Sequence, residues 1–285
     1  MRRPFTVACV QTTSGRDIAA NVATASKWVR AARKAGADFI LLPETVNIME
    51  PKGALLLDKV AADGGDAGLR AFRALARDVG AWLLAGSLVV PADKTGTRRG
   101  AAKAAKRMVA NRSLLIDPRG SVKARYDKIH MFDVDLGKGE VYRESKRYAA
   151  GAKAVTAKLP WGRLGMTVCY DLRFPHLYRA LAQRGADFLS VPSAFTRPSG
   201  SAHWHVLLRA RAIENGCFVF APAQCCVHEG GRRTFGHSLI VDPWGAVLAD
   251  GGDAPGFVAA TVEPERVVEA RKRIPSLDHD RKFKF

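Results

Sequence analysis

The stretch Arg163-Leu-Gly-Met-Thr-Val-Cys-Tyr-Asp-Leu-Arg-Phe-Pro175 decides how the chain is read. Leu164–Val168 is a short apolar run, a pattern that predicts a buried strand. The run stops at Cys169, passes through a polar turn, and meets Pro175, a residue suited to open a helix. A cysteine at such a strand-to-helix elbow sits on rigid elements with its thiol aimed out of the sheet edge. Backbone N–H groups near the helix start can then stabilise a thiolate or an oxyanion. The competing reading is a buried cysteine used as a small apolar residue. Local sequence leaves both open.

On the N-terminal side, Phe5–Gln11 reads as a first strand and Asn21–Ala35 as an Ala-rich helix stopped by Gly36. Phe39–Leu42 reads as a buried strand running into Pro43-Glu44-Thr45, Asp66–Val79 as an amphipathic helix, and Ala81–Val90 as a strand. Ser113–Ile116 and Val122–Tyr126 form an expected hairpin around Asp117-Pro-Arg-Gly120. Beyond the elbow come a helix over Pro175–Arg184, a strand at Phe188–Val191 and a helix over His203–Asn215. Strands at Cys217–Ala223, His237–Val241 and Phe257–Val262 and a short helix at Pro264–Arg273 complete the chain.

Two echoes organise this order. Gly36-Ala-Asp-Phe39 with Pro43 recurs as Gly185-Ala-Asp-Phe188 with Pro192, and Ser113-Leu-Leu-Ile-Asp-Pro-Arg-Gly120 recurs as Ser238-Leu-Ile-Val-Asp-Pro-Trp-Gly245. The first is a helix stop followed by a buried strand, the second a strand and its turn. Together they predict two similar half-sheets packed face to face with helices outside.

The 285 residues, 47% of them hydrophobic, suffice for a large core. No apolar run approaches the ~18 residues of a membrane span. The N-terminus enters a strand without a signal-peptide pattern, so a cytoplasmic protein is expected. Five cysteines (Cys9, Cys169, Cys217, Cys225 and Cys226) lack C-x-x-C spacing, which points away from a disulfide framework or a zinc site. The formal net charge is +18, and basic residues cluster in an insertion at 93–108 and a C-terminal stretch at 263–285. Neither segment matches a nucleic-acid recognition motif, and solvated basic loops or attraction of small anions explain them better.

Three chemically capable groups fall at strand ends: Glu44, Lys128 and Cys169. In sheets of this kind ligands bind outside the carboxyl ends of strands. A thiol of pKa about 8.5 needs a base or a cation to become a useful nucleophile, and Glu44 and Lys128 can supply one each. Each can equally be a surface charge, and spacing alone does not bring them together. His203 and His205 lie two apart on different helix faces, which argues against a paired metal ligand. A G-x-S-x-G serine elbow is lacking.

Leu42-Pro-Glu-Thr45, Tyr126-Asp-Lys-Ile-His130 and Val168-Cys-Tyr-Asp-Leu-Arg-Phe-Pro175 resemble the three catalytic blocks of the nitrilase superfamily of carbon–nitrogen hydrolases. The similarity continues through Ala202-His-Trp204, Leu207–Asn215 and Gly236–Gly245, and so spans nearly the whole chain. It implies one α/β domain folded as a four-layer αββα sandwich. It also implies a Glu-Lys-Cys triad that falls on Glu44, Lys128 and Cys169, and a lysine-orienting carboxylate that falls on Glu144, with Glu140 the next candidate. The later blocks resemble the branch containing the deaminated glutathione amidases and the nitrilase half of nitrilase–Fhit fusions, with ω-amidases as near neighbours. His176 and His205 depart from that pattern, where relatives usually carry Glu.

The resemblance implies amide hydrolysis through a thioester on Cys169, with the oxyanion held by Lys128 and the Tyr170 N–H. Neither a metal nor an organic cofactor is expected. Arg173 is a candidate clamp for a substrate carboxylate, since its planar fork suits one, or else part of a structural ion pair. A homodimer or larger assembly is expected, with the helix His203–Asn215 at the interface. From another class, the rival is an idle scaffold that binds nucleic acid or a protein partner.

Overall fold

The computed structural model describes residues 2–64, 67–92, 108–137 and 139–284. All of the expected insertion except Met108 lies outside these residues. In chain order the strands are β1 (Phe5–Gln11), β2 (Phe39–Leu41), β3 (Trp82–Pro91), β4 (Val109–Ile116), β5 (Val122–Asp127), β6 (Asp133–Asp135) and β7 (Val141–Arg143). There follow β8 (Val155–Leu159), β9 (Gly162–Met166), β10 (Phe188–Ser190), β11 (Phe218–Ala221) and β12 (Cys225–Val227). The last are β13 (Arg233–Phe235), β14 (Leu239–Val241), β15 (Val247–Asp250) and β16 (Gly256–Val262). The helices are α1 (Ile18–Lys34), α2 (Gly53–Asp63), α3 (Ala67–Val79), α4 (Pro175–Gln183), α5 (Arg197–Asn215) and α6 (Glu265–Arg273).

Twelve of the strands form two six-stranded sheets that repeat one plan. The first sheet runs β16-β1-β2-β3-β4-β5, and the second, read from its other edge, runs β8-β9-β10-β11-β14-β15. In each, three central strands are parallel (β1, β2, β3; β9, β10, β11) and the flanking pairs are antiparallel. Both echoes mark equivalent places. The repeated Gly-Ala-Asp-Phe opens β2 and β10, and the repeated Asp-Pro turn joins β4 to β5 and β14 to β15. Both turns use the same bonds: Asp117 Oδ1 accepts the N–H groups of Arg119 and Ser121, and Asp242 Oδ1 those of Trp244 and Ala246.

Side-chain alternation on β1 shows how the layers stack. Val7 and Cys9 point into a core shared with Met166, Phe188 and Phe220 of the second sheet. Ala8 and Val10 point the other way, onto Ala25, Val29 and Ala32 of α1 and Phe72 and Leu75 of α3. On the far side, Leu181 of α4 and Leu208 and Ala212 of α5 cover the second sheet. The result is a helix–sheet–sheet–helix sandwich. Full burial of each large apolar side chain contributes about 1.5–3 kcal/mol, so the intersheet layer is the main source of stability.

Local sequence sets the element ends. Asp17 caps α1 by accepting the Ala20 N–H at 2.8 Å, and the helix stops at Gly36, whose φ of +93° suits only a residue without Cβ. Pro175 opens α4. The C-terminal stretch read as solvated is instead docked. The Arg271 guanidinium donates to Ala186 O at 2.6 Å, Arg266 pairs with buried Asp242, and Arg179 pairs with Asp280. Sequence reading missed this because a basic stretch and a helix that uses its cations on carbonyls look alike in one dimension. Among the described residues, no helix is long and apolar enough to cross a membrane.

Candidate active site

Glu44 is aimed by an irregularity in β3. The pairing of β3 with β4 shifts register between Ala85 and Leu88, across Gly86 and Ser87. A Cβ on Gly86 would sit 1.6 Å from Leu42 O, so only glycine allows the two chains to approach there. Ser87 then clamps the turn after β2. It takes the Thr45 N–H on its hydroxyl at 2.8 Å and the Val46 N–H on its carbonyl at 3.0 Å, and it donates to Pro43 O at 3.2 Å. Thr45 adopts φ +50° within this clamp.

Cys169 sits at a tighter elbow than the sequence suggested. β9 ends at Met166, and Cys169 itself takes φ +49°, a rare backbone conformation for a residue with Cβ. It begins a 3-10 turn, Cys169–Arg173, which is the polar turn expected ahead of the Pro175 helix. Its N–H donates to Pro192 O at 2.9 Å and that of Asp171 to Val168 O at 3.1 Å. Between them the Tyr170 N–H lies in the first positions of the turn, which have no acceptor within it.

Lys128 leaves β5 with its backbone held at both ends: its N–H donates to Asn111 O at 3.0 Å and its carbonyl accepts from Gly151 at 2.8 Å. Its side chain is 2% exposed, and its ammonium lies 3.0 Å from Glu44 Oε1 and 2.9 Å from Glu144 Oε2. Glu144 is fixed in turn by the Phe132 N–H at 2.6 Å. Glu140, the alternative candidate, takes the Tyr142 hydroxyl instead. Glu44 also accepts the Ala194 N–H at 2.9 Å and the Asn111 amide at 2.8 Å, and hydrogen-bonds the Cys169 thiol. The four groups named from sequence therefore meet in one buried cluster.

Their charges are mutually set. Burial works against the Glu44 carboxylate, but the Lys128 charge and the hydrogen bonds from Cys169 and Lys128 outweigh it and hold its pKa below the ordinary value. Burial likewise works against the Lys128 ammonium, yet Glu144 and Glu44 raise its pKa well above normal. Burial and then the Glu44 charge push the Cys169 thiol up, against the opposing pull of Lys128. The cluster at rest is thus a carboxylate beside a protonated thiol, with a locked cation between two anions. Such a pair can abstract the thiol proton only as the sulfur attacks.

The cluster lines a cavity of about 440 Å³. Its wall contains Arg143, Lys146, Arg147 and Arg232, with Phe132, Tyr142, Tyr148 and Phe195 as its aromatic part. Two hairpins unmarked in the sequence, β6–β7 and β12–β13, flank the segments that carry these groups. Arg232 donates to Ala194 O at 2.6 Å and lies over the Tyr142 ring, while its buried Nε has no partner among the described residues. The Thr45 hydroxyl is likewise buried and unpartnered.

Arg173 requires a correction: it does not line the cavity. Its guanidinium lies over Phe195 and 3.3 Å from His203 Nδ1, on the outer side of the 3-10 turn. The helix expected at an interface, His203–Asn215, is the C-terminal part of α5. Trp204 and Leu208 are fully buried, Arg211 is buried against Leu172 O, and Val206 and Ile213 are the exposed apolar residues.

Two positioning residues were not singled out in the sequence. Asp171 is fully buried and collects the Tyr126 hydroxyl (2.5 Å), the Val168 N–H (2.9 Å) and the His130 N–H (3.1 Å), with the His130 ring at 2.7 Å. It ties the Lys128 segment to the Cys169 elbow. Its place in Cys-Tyr-Asp was the available signal. Asn111, which bridges Glu44 and Glu144, sits in an ordinary strand pattern and had none.

Fold and site together define a cysteine-type hydrolase scaffold, and comparison with known proteins agrees. The chain belongs to the carbon–nitrogen hydrolase family, whose model matches residues 6–272, and it is an amide-cleaving hydrolase. A deaminated glutathione amidase of Synechocystis is 39% identical over 279 residues, covering 97% of this chain and 98% of the relative. The human protein of that name is 37% identical over 287 residues, covering 96% and 82%. Among solved structures, the Caenorhabditis elegans NitFhit protein superposes with TM-score 0.86 at 35% identity, covering 98% of this chain and 65% of that one. A nitrilase-superfamily member from Saccharomyces cerevisiae gives 0.81 at 25% identity, covering 96% and 95%.

Proposed function

We propose that the protein hydrolyses an amide flanked by carboxylates, of the deaminated glutathione type, through a thioester on Cys169. The observation that carries this is a buried Glu44–Lys128–Cys169 cluster at the base of a cavity whose wall is cationic. Glu44 takes the thiol proton as Cys169 attacks the carbonyl carbon. Lys128 and the Tyr170 N–H receive the developing oxyanion, and such donors contribute about 3 kcal/mol each. Glu44 then protonates the departing amine and later deprotonates the water that cleaves the thioester. Glu144 acts through Lys128, holding it charged and in place.

Arg232 replaces Arg173 as the proposed carboxylate anchor, since its unpartnered Nε leaves part of a planar fork for an anion. Deaminated glutathione has a carboxylate at each end and offers both a partner for Arg232 and one for Arg143 or Arg147. The test is a panel assayed for product release: deaminated glutathione, α-ketoglutaramate, simple aliphatic amides, an N-carbamoyl compound and a nitrile. Deaminated glutathione should show the highest kcat/KM, and Arg232→Gln should raise KM for it while leaving a neutral amide unaffected. Equal turnover of neutral amides by the wild type would overturn the substrate assignment.

The proposal includes one carbon–nitrogen hydrolase domain acting as a homodimer or larger assembly. Val206 and Ile213 on α5, both more than half exposed, suit a contact there. Sedimentation showing a fully active monomer at micromolar concentration would remove the assembly claim.

A further inference from the structure

His205, dismissed as a ligand when paired with His203, has other neighbours in the fold. It projects from α5 towards His237, in the connection from β13 to β14, and Asp250, the last residue of β15. His205 Nε2 lies 3.0 Å from Asp250 Oδ2, and His237 Nδ1 lies 2.8 Å from Asp250 Oδ1. One ligand atom from each of the three falls within 4.8 Å of the others. We propose that His205, His237 and Asp250 bind a divalent transition-metal ion of the zinc type, at a site separate from the amide-cleaving cavity.

The spacing suits such an ion. Zinc–nitrogen and zinc–oxygen bonds of about 2.0–2.2 Å place neighbouring ligand atoms roughly 3.3 Å apart in a tetrahedral site. Each imidazole nitrogen already lies within that distance of one carboxylate oxygen, Oδ2 for His205 and Oδ1 for His237, so an ion between the rings would be met by both oxygens of Asp250. Two imidazoles and one carboxylate favour zinc, nickel or copper over magnesium or calcium. The partial exposure of all three groups leaves room for water as a fourth ligand.

The framework around the ligands is built rather than incidental. His237 is held at φ +54°, donates its N–H to Gly252 O at 2.8 Å, and accepts the Trp204 indole N–H on its carbonyl at 2.7 Å. Its ring stacks on Phe235 at 4.5 Å. Gln11 fixes the loop after Asp250 by donating to Gly252 O and Ala254 O, both at 2.8 Å. On the far side of the His237 ring, Nε2 lies 3.6 Å from Asp253 Oδ1. None of these residues lines the cavity. The alternative is a carboxylate that only accepts hydrogen bonds from two imidazoles.

The experiment uses the full chain carrying Cys169→Ala, which removes the active-site thiol as a competing ligand. Calorimetric titration with zinc chloride and visible absorption with cobalt chloride should each show one equivalent bound. His205→Ala and His237→Asn should each weaken binding by more than about tenfold, the scale on which even outer-shell partners act. Asn tolerates the left-handed backbone at 237, and His205→Ala on the helix surface carries the test if the other variant fails to fold. Cys226→Ser should change nothing. Unchanged affinity in both histidine variants would overturn the site, as would the lack of any cobalt spectrum. A thiolate band lost in Cys226→Ser would also overturn it, by placing the ion on the exposed cysteine.

Discussion

The two half-sheets share strand order, turn chemistry and even short sequence, yet they use matching positions differently. After β2 the chain places Glu44, and at the matching position after β10 it places Ser193. After β9 it places Cys169, and at the matching position after β1 it places Thr12. Where β4 and β5 pair Arg112 with Asp127 at 2.7 Å, His237 ahead of β14 pairs with Asp250 of β15. One corner thus holds a buried cation between two carboxylates. The other holds a neutral network in which Gln224 bonds Ser14 and the Glu44 carbonyl, and Gln11 bonds Ser238, Gly252 and Ala254. The repeat supplies rigid strand ends twice, and chemistry arises where the symmetry is broken.

The comparison is tested most severely at the nucleophile. Cys169→Ala should abolish turnover while the protein unfolds at the wild-type temperature, because the proposed covalent nucleophile is gone and little volume is lost. Wild type trapped with a slow substrate should carry its acyl group on the Cys169 peptide in mass spectra. An adduct on Cys9, buried on β1 of the other half, would break the assignment.

Lys128→Met should cost both activity and stability. It leaves Glu44 and Glu144 buried without their cation, and removing one partner of a buried pair costs about 3–5 kcal/mol. In the neutral corner, Gln11→Ala should cost only about 1–3 kcal/mol, the loss of a buried hydrogen-bonding group, with kcat unchanged. Denaturant titration of both variants measures the contrast. Equal destabilisation would mean that the charged corner is no more dependent on pairing than the neutral one.

Glu144→Gln is a subtler break. The amide keeps shape and a hydrogen bond but removes a charge that raises the Lys128 pKa. A kcat loss of about 10- to 100-fold, with KM little changed, is expected if Lys128 acts, as proposed, when the oxyanion forms. Cys169 should remain alkylatable in the variant. Wild-type kcat would reduce Glu144 to a structural carboxylate.

The smallest effect is that of pH. Glu44 is held below its ordinary value of 4.5 and Lys128 above 10.5, while the Cys169 thiol stays protonated. Glu44 is therefore lost as base only on the acid side of 4.5, and kcat/KM should be level between about pH 6 and pH 9. A rise near pH 8.5 would instead report a free thiolate as the nucleophile.

Sequence alone determined a good deal, for local physical reasons. Alternating and continuous apolar runs marked β1, β2, β3 and β9, Gly36 marked the end of α1, and the two echoes foretold the repeated half-sheet. Resemblance pointed to Glu44, Lys128, Cys169 and Glu144 because catalytic residues come in short blocks anchored to strand ends. Tertiary structure decided the remainder. Asn111 reaches Glu44 and Glu144 across 67 and 33 residues, Arg232 rather than Arg173 faces the cavity, and Trp204 turns into the core. His205 meets His237 and Asp250 from 32 and 45 residues away. Local pattern reports which residues are apolar and where the backbone turns. It does not report side-chain direction at an elbow or partners brought together by stacking two sheets, because those depend on packing across the whole chain.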